Sequence, residues 1–103
     1  MFKDFNSENL VKELTFVLKN VIFTPGDYII QKDQMGEEMY FIQEGTVHVI
    51  GGDKSTVLKK LTKGSYFGEI AIFMKTRRMA YVQAKTFCII SILKKPDIDN
   101  IIL

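Results

Sequence analysis

Cysteine, histidine and tryptophan are almost absent from this 103-residue chain, which has one cysteine, one histidine and no tryptophan. A single cysteine cannot form an internal disulfide, so the class of small secreted domains held together by disulfides is excluded. We expect Cys88 to be a small buried side chain, because it lies in the apolar run Phe87–Leu93. His48 has no cysteine or acid at metal-ligand spacing, so no metal site is predicted.

The chain also lacks a long apolar run and a large excess of charge. No apolar segment approaches the ~20 residues that cross a bilayer, and residues 1–9 do not have the pattern of a signal peptide. We therefore expect a cytoplasmic location and no direct membrane contact in this segment, although the parent protein can be membrane-embedded. A net charge of +2 is too small to argue for nucleic acid as a partner. Any recognition of an anion must then be local.

The length and the hydrophobic content of 47% suit a single domain spanning residues 1–103. Apolar spacing predicts a helix over residues 7–19, and Pro96 predicts the start of another that continues from Asp97. Many short strands at close spacing lie between them and indicate an antiparallel sandwich or barrel. The predicted strands are Tyr28–Gln31, Met39–Gln43, Thr46–Ile50, Val57–Leu61, Tyr66–Phe67, Met79–Ala84 and Phe87–Leu93.

Three connections between these strands have recognisable turn residues. Thr24–Asp27 has the residues of a type II turn, because proline presets φ at its second position and Gly26 tolerates positive φ at its third. The sequence Gly51-Gly52-Asp53 predicts a hairpin. Lys85-Thr86 is predicted to be a tight turn between the last two strands.

Residues 67–80, FGEIAIFMKTRRMA, interrupt the strand pattern. Gly68 and Glu69 open a short apolar run that predicts one or two helical turns. The first turn of a helix has free N–H groups and the positive end of the helix dipole, and Arg78 could pair with the same anion. The Glu69 carboxylate fits beside an anion if it accepts a hydrogen bond from a sugar hydroxyl, so phosphate plus hydroxyl points to a nucleotide. On the pattern alone, a solvated surface helix with an arginine pair is the commoner explanation.

These residues resemble the phosphate-binding cassette of the cyclic nucleotide-binding domain family. The resemblance rests on Phe67-Gly68-Glu69-Ile70 followed by Arg78-Met79-Ala80. The stretches PGDYII, MYFIQEG and GSYFGE are similar to other family landmarks in the same order, and the likeness spans roughly residues 10–100. It is most like the cytoplasmic domains of cyclic-nucleotide-gated and hyperpolarisation-activated cation channels, of which the pair Arg77-Arg78 is typical. Kinase regulatory subunits usually have Pro-Arg-Ala-Ala there, which this chain lacks.

The resemblance implies an antiparallel β-roll, a jelly-roll-like barrel with flanking short helices, that binds cAMP or cGMP. Arg78 would bind the cyclic phosphate, and Glu69 would bind the ribose 2′-hydroxyl. Backbone groups of three neighbouring residues would contact the ribose and phosphate. These residues are Gly68, Ile70 and Ala71.

The purine would pack against Val49 and Leu61, on the strands before the cassette. Met79 occupies the position where the channels usually have threonine, and methionine cannot donate the hydrogen bond that threonine can give to cGMP. This difference favours cAMP. The family's lid is a C-terminal helix that folds over the base, and we expect it to be missing from a chain that ends at Leu103. Affinity and base selectivity would then be reduced.

The resemblance further implies a regulatory domain of a ligand-modulated ion channel, with an effector region of the same or another polypeptide as its partner. Two alternatives are a regulatory subunit of a cyclic-nucleotide-dependent protein kinase and a ligand-free structural barrel that mediates subunit contacts. An enzyme is not expected, because hydrolysis of the ligand needs a metal-activated water or a general base. We expect no cofactor, a surface position for Arg77, and a solvated face formed by Lys59, Lys60 and Lys63.

Overall fold

Short strands and tight turns build two antiparallel sheets. The structure is a computed structural model that describes residues 17–102. Within these residues one sheet has the strand order β1-β8-β3-β6 and the other has the order β2-β7-β4-β5. The elements are β1 (Lys19–Phe23), β2 (Tyr28–Ile30), β3 (Glu38–Glu44), β4 (Thr46–Ile50), β5 (Val57–Thr62), β6 (Tyr66–Phe67), α1 (Glu69–Met74), β7 (Tyr81–Ala84), β8 (Cys88–Lys94) and α2 (Lys95–Ile102). The predicted mainly β roll with short helices is confirmed.

The two sheets pack against each other over a shared core. Successive side chains of a strand point to opposite faces, so alternate residues of each strand enter this core. Tyr40, Ile42 and Ile90 come from one sheet, and Val47 and Val82 come from the other. Burying an aliphatic or aromatic side chain of this size stabilises the folded state by roughly 1.5–3 kcal/mol. Cys88 belongs to the same cluster and is fully buried, as predicted.

A second, smaller cluster joins the two helices. Ile72 of α1, Met39 of β3, Leu93 of β8 and Ile98 of α2 are all buried within it. Pro96 lies in the first turn of α2, and this helix begins at Lys95, one residue before the predicted start at Pro96. The cluster therefore connects α1 to α2 through Met39 of β3 and Leu93 of β8.

In two regions the structure differs from what the sequence predicted. The predicted helix over residues 7–19 lies outside the described residues except for its end, where Lys19 already begins β1. This strand was not predicted, and its place is set by pairing with β8, in which Val21 lies opposite Ile90. Residues 85–87 connect strands of different sheets, so the predicted tight turn leads from one layer to the other rather than closing a hairpin.

The other two predicted turns have the expected geometry. The Asp27 N–H donates to the Thr24 carbonyl at 3.0 Å, and Gly26 has a φ of 95°, as a type II turn requires. Gly51 begins the hairpin loop between β4 and β5, where its N–H donates to the Thr56 carbonyl at 2.9 Å. Both predictions are confirmed.

Asp53 holds the loop of this hairpin. Its carboxylate accepts hydrogen bonds from the Ser55 N–H at 3.0 Å, from the Thr56 N–H at 2.9 Å and from the Thr56 hydroxyl. The Thr56 hydroxyl is the main reason that the pKa of Asp53 falls from 3.8 to about 2, and the two N–H groups add to it. The folded pKa is depressed, so the stabilisation is present above the unfolded pKa and is lost as the pH falls towards 2.

We therefore expect Asp53→Asn to lower the unfolding free energy at pH 6 and to lose most of this effect at pH 2.5. Urea unfolding of both proteins at the two pH values measures the difference. A constant gap between wild type and variant across this range would contradict the role of the ionised carboxylate.

Candidate functional site

A cavity of about 290 Å³ lies between the inner face of the β2-β7-β4-β5 sheet and the segment containing α1 and the following basic loop. This volume lies just below the range of about 300–1,000 Å³ that is usual for ligand pockets. All eight residues predicted from the sequence line it: Val49, Leu61, Gly68, Glu69, Ile70, Ala71, Arg78 and Met79. The remaining lining comes from Ile30, Lys59, Tyr66, Phe67, Thr76, Arg77, Ala80 and Val82.

Arg78 is a buried cation, with only 7% of its surface exposed. Its Nη1 donates to the Gly68 carbonyl and its Nη2 donates to the Glu38 carbonyl, each at 2.6 Å. Among the described residues no carboxylate lies within ion-pair distance of the guanidinium. Guanidinium has five N–H donors, and a buried charge without an ionic partner is unfavourable. The arrangement is therefore suited to an anion that enters the cavity.

The backbone of Arg78 is fixed by the loop that follows β2. The Arg78 N–H donates to the Gln34 carbonyl at 2.7 Å, and the Arg78 carbonyl accepts from the Asp33 N–H at 2.8 Å. Arg77 is exposed, as expected, and its Nη1 donates to the Asp33 carbonyl at 2.9 Å. The two neighbouring arginines thus have different surroundings, and only Arg78 is buried.

Gly68, which precedes α1, has a backbone conformation that favours glycine. Its φ is 89°, and it caps the N-terminus of α1. A Cβ at this position would lie 3.0 Å from Arg78 Nη1 and 3.0 Å from Tyr40 Cδ2. A side chain here would push against the guanidinium and the ring together. The sequence indicated a close approach by a ligand, and the structure adds a close approach by Arg78 itself.

The position of α1 is set by close packing against the loop after β2. Ala71 is buried and lies beside Gly36, where an added Cβ would come within 2.2 Å of the Ala71 Cβ. The first N–H groups of any helix have no partner within the helix. Since α1 is held against this loop, its N-terminal end is held at the cavity wall.

Tyr40 and Glu38 support Arg78, although sequence reasoning did not identify them. The Tyr40 ring stacks on Phe67 at 5.0 Å between centroids, and the guanidinium carbon lies 5.8 Å from the Tyr40 centroid. The Tyr40 hydroxyl donates to Glu38 Oε1 at 3.1 Å. Burial, and then the Glu38 carboxylate, raise the pKa of Tyr40 to about 12. The hydroxyl therefore stays protonated at neutral pH and keeps this hydrogen bond.

The rest of the cavity lining is an apolar wall with polar side chains at Lys59, Tyr66, Glu69, Thr76 and Arg77. Glu69 is half-buried, and its carboxylate makes no hydrogen bond or ion pair with a described residue. Val49 and Leu61 form part of the wall on β4 and β5. At the rim, Ile70 is 66% exposed and Met79 is 80% exposed. The cavity thus combines a buried cation, an unpaired carboxylate and apolar surface.

The family model of the cyclic nucleotide-binding domain matches residues 20–103. The chain belongs to this family. Over 80 residues it is 49% identical to the potassium/sodium hyperpolarization-activated cyclic nucleotide-gated channel 1 of Homo sapiens, covering 78% of this chain and 9% of the channel. Over 81 residues it is 47% identical to channel 4 of Homo sapiens, covering 78% of this chain and 6% of that channel. This cyclic nucleotide-binding domain therefore spans less than a tenth of the length of these relatives.

Solved structures share the fold of this domain. A regulatory subunit of a cAMP-independent protein kinase A from Trypanosoma brucei superposes with a TM-score of 0.87 at 30% identity, covering 92% of this chain and 35% of that chain. The regulatory domain of Toxoplasma gondii PKA, crystallised with cAMP, gives a TM-score of 0.84 at 24% identity, covering 92% and 38%. The second likeness concerns the fold alone.

The described residues also lack two features, a metal-binding cluster and a membrane-spanning helix. Within residues 17–102, no group of three or more histidine, cysteine or acidic side chains is arranged to hold a metal ion. None of the helices described there is both long enough and apolar enough to cross a membrane.

Proposed function

We propose that residues 1–103 form a single domain that binds cAMP or cGMP in the cavity beside α1. The observation that carries this proposal is the buried Arg78 guanidinium, which has two carbonyl partners and no described carboxylate partner. One solved relative is the regulatory subunit of a cAMP-independent kinase, so the fold alone does not choose the ligand. The ligand has to be argued from the side chains of the cavity.

The cyclic phosphate lies against Arg78 and the N-terminal end of α1 in this proposal. An N–H group of the guanidinium donates to a phosphate oxygen, and such charge-assisted hydrogen bonds contribute about 1.5–3 kcal/mol each. Backbone N–H groups at Ile70 and Ala71 are free to donate as well, because they lie in the first turn of α1. Gly68 allows the ligand to approach the main chain.

The other residues that line the cavity would contact the sugar and the base. The Glu69 carboxylate accepts a hydrogen bond from the ribose 2′-hydroxyl, which explains an unpaired acid beside a phosphate site. The purine packs on Val49 and Leu61, and Met79 covers it from the rim. These contacts are apolar, so they hold a base without choosing strongly between adenine and guanine.

Calorimetric titration with cAMP, cGMP and 5′-AMP tests the proposal. We expect both cyclic nucleotides to bind and 5′-AMP to bind more weakly, because its phosphate is not held in a ring with the ribose. Absence of binding for both cyclic nucleotides would reject the proposal.

Glu69→Gln is expected to weaken cAMP binding roughly five- to tenfold. A hydrogen bond to a charged group contributes about 1 kcal/mol more than one between neutral groups, and glutamine keeps the size of the side chain. The matched control is 2′-deoxy-cAMP, which has no hydroxyl to donate and should bind wild type and variant alike. An equal loss for cAMP and 2′-deoxy-cAMP would place Glu69 away from the ribose.

We further infer that the domain is regulatory and not enzymatic. The cavity lining contains no histidine or cysteine and one acid, Glu69, so general acid–base chemistry on a phosphodiester has little support. Prolonged incubation with cAMP should leave the nucleotide intact by chromatography. Formation of 5′-AMP, lost in Glu69→Gln, would contradict this inference.

Regulation needs a path from the cavity to the rest of the protein. Ile72 of α1 and Ile98 of α2 share one cluster, so a shift of α1 on phosphate binding changes the packing of α2. A ligand moves this equilibrium only through its different affinities for the two arrangements. We propose that the effector attached to this path is a cation channel and that the domain lies at its cytosolic face.

The alternative effector is a protein kinase, which the likeness to the kinase regulatory subunit from Trypanosoma brucei favours. The sequence flanking the domain in the full-length protein separates the two. Membrane-spanning helices before the domain indicate a channel. An inhibitory peptide and a second tandem domain indicate a kinase subunit.

A further inference from the structure

Glu38 contacts the buried Arg78 through its main chain and not through its carboxylate. The Glu38 carbonyl accepts a hydrogen bond from Arg78 Nη2 at 2.6 Å, while no carboxylate among the described residues lies within ion-pair distance of the guanidinium. The Glu38 carboxylate accepts a hydrogen bond from the Tyr40 hydroxyl at 3.1 Å instead. An acid that touches the cation through its backbone is therefore not paired with it.

The direction of the Glu38 side chain does not explain this arrangement. Side chains two residues apart in a strand project from the same face, so Glu38 and Tyr40 share a face of β3. The Tyr40 ring lies in the core cluster, with its centroid 5.8 Å from the guanidinium carbon of Arg78. The half-buried Glu38 side chain therefore begins on the side of the sheet where Arg78 lies. Within the described residues, the Tyr40 hydroxyl is the one donor that its carboxylate has.

The Tyr40 hydroxyl is close to both charges. Burial and then the Glu38 carboxylate raise the pKa of Tyr40 to about 12, while the Arg78 guanidinium acts in the opposite direction. The hydroxyl keeps its proton at neutral pH and has only that one proton to donate, which it gives to Glu38. This hydrogen bond therefore fixes the carboxylate near the guanidinium but not on it.

We infer that Tyr40 is a positioning residue whose hydroxyl holds the Glu38 carboxylate away from Arg78, so that the guanidinium stays available to an incoming phosphate. This inference rests on the proposed function. A buried cation without an ionic partner is unfavourable, and a carboxylate forms strong, often bidentate hydrogen bonds with guanidinium. Without the hydroxyl, Glu38 pairs with Arg78 and competes with the phosphate for the same N–H groups. The domain thus carries its own competitor for the phosphate site, and Tyr40 keeps it from pairing.

A double-mutant cycle of Tyr40→Phe and Glu38→Gln, titrated with cAMP by calorimetry, tests the inference. Phenylalanine keeps the ring that stacks on Phe67, and glutamine keeps the size of the glutamate side chain but loses its charge. Glu37→Gln is the matched control, alone and combined with Tyr40→Phe, because Glu37 is the neighbouring acid and its side chain is exposed. Thermal unfolding of each ligand-free protein shows whether the fold is kept.

We expect Tyr40→Phe to weaken cAMP binding about tenfold, a coupling usual within one hydrogen-bond network. Adding Glu38→Gln should restore most of this loss, and adding Glu37→Gln should not. A loss of the same size with and without Glu38→Gln would overturn the inference, because the hydroxyl would then act on Arg78 or on the fold directly. An unchanged affinity in Tyr40→Phe would also overturn it, while cAMP binding stands. Failure of wild type to bind cAMP and cGMP would instead overturn the proposed function, and this inference with it.

Discussion

Replacing Arg78 with alanine is expected to weaken cAMP binding by roughly 2–5 kcal/mol, because truncating one partner of a buried charge pair leaves the other charge unpaired. The guanidinium is buried, and within residues 17–102 it has two carbonyl acceptors and no carboxylate within ion-pair distance. The phosphate would lose its counter-ion in the variant. Calorimetry on wild type and variant measures the difference, and equal affinities would reject this role.

Two companion variants separate binding from folding. Arg78 also joins the Gly68 and Glu38 carbonyls, so alanine could disturb the fold, and thermal unfolding must be recorded for each protein. Arg78→Lys keeps a positive charge but loses the planar fork of donors, and we expect an intermediate loss of affinity. Arg77→Ala removes the neighbouring exposed arginine and should change affinity much less. A larger loss for Arg77→Ala than for Arg78→Ala would contradict the assignment.

The second large effect concerns stability at Gly45, between β3 and β4. Gly45 has a φ of 103°, and a Cβ there would lie 2.5 Å from the Phe87 carbonyl oxygen and 2.6 Å from Cys88 Sγ. A residue with a side chain in left-handed backbone is unfavourable by about 1–2 kcal/mol, and overpacking adds about 1–3 kcal/mol. We expect Gly45→Ala to lower the unfolding free energy by roughly 2–5 kcal/mol in urea titration.

Gly64→Ala is the matched control for this prediction. Gly64 also has a positive φ, of 91°, but a Cβ there meets no atom within 4 Å. Its substitution should show the backbone effect alone, about 1–2 kcal/mol. Equal destabilisation by the two substitutions would contradict this prediction, because it would show that a methyl group at position 45 fits beside Phe87 and Cys88 without lowering the unfolding free energy further.

The site could be predicted because its chemical groups are close together in the sequence. Gly68, Glu69 and Arg78 lie within one short segment, and their spacing carries the resemblance. The partners of Arg78 could not be predicted, because it is held by the main-chain carbonyls of Gly68 and Glu38. A carbonyl is present at every residue, so no side-chain pattern marks which one is used.

The strands also differ in how well the sequence predicts them. β4 was predicted with its observed bounds, because glycines flank a short run in which four of the five residues are β-branched. β1 was not predicted, because its place depends on pairing with β8, far away in the sequence. In β5, lysines lie on both faces, so alternation does not show which face is inward. Only the register with Val49 places Lys59 beside the cavity.

The proposed role of Arg78 is to recognise the negative charge of a cyclic phosphate. Its most direct test is a cycle in which cAMP and adenosine, which has the same base and ribose but no phosphate, are titrated into wild type and Arg78→Ala. We predict that wild type strongly prefers cAMP and that most of this preference is lost in the variant. A preference of the same size in both proteins would mean that the phosphate is recognised elsewhere.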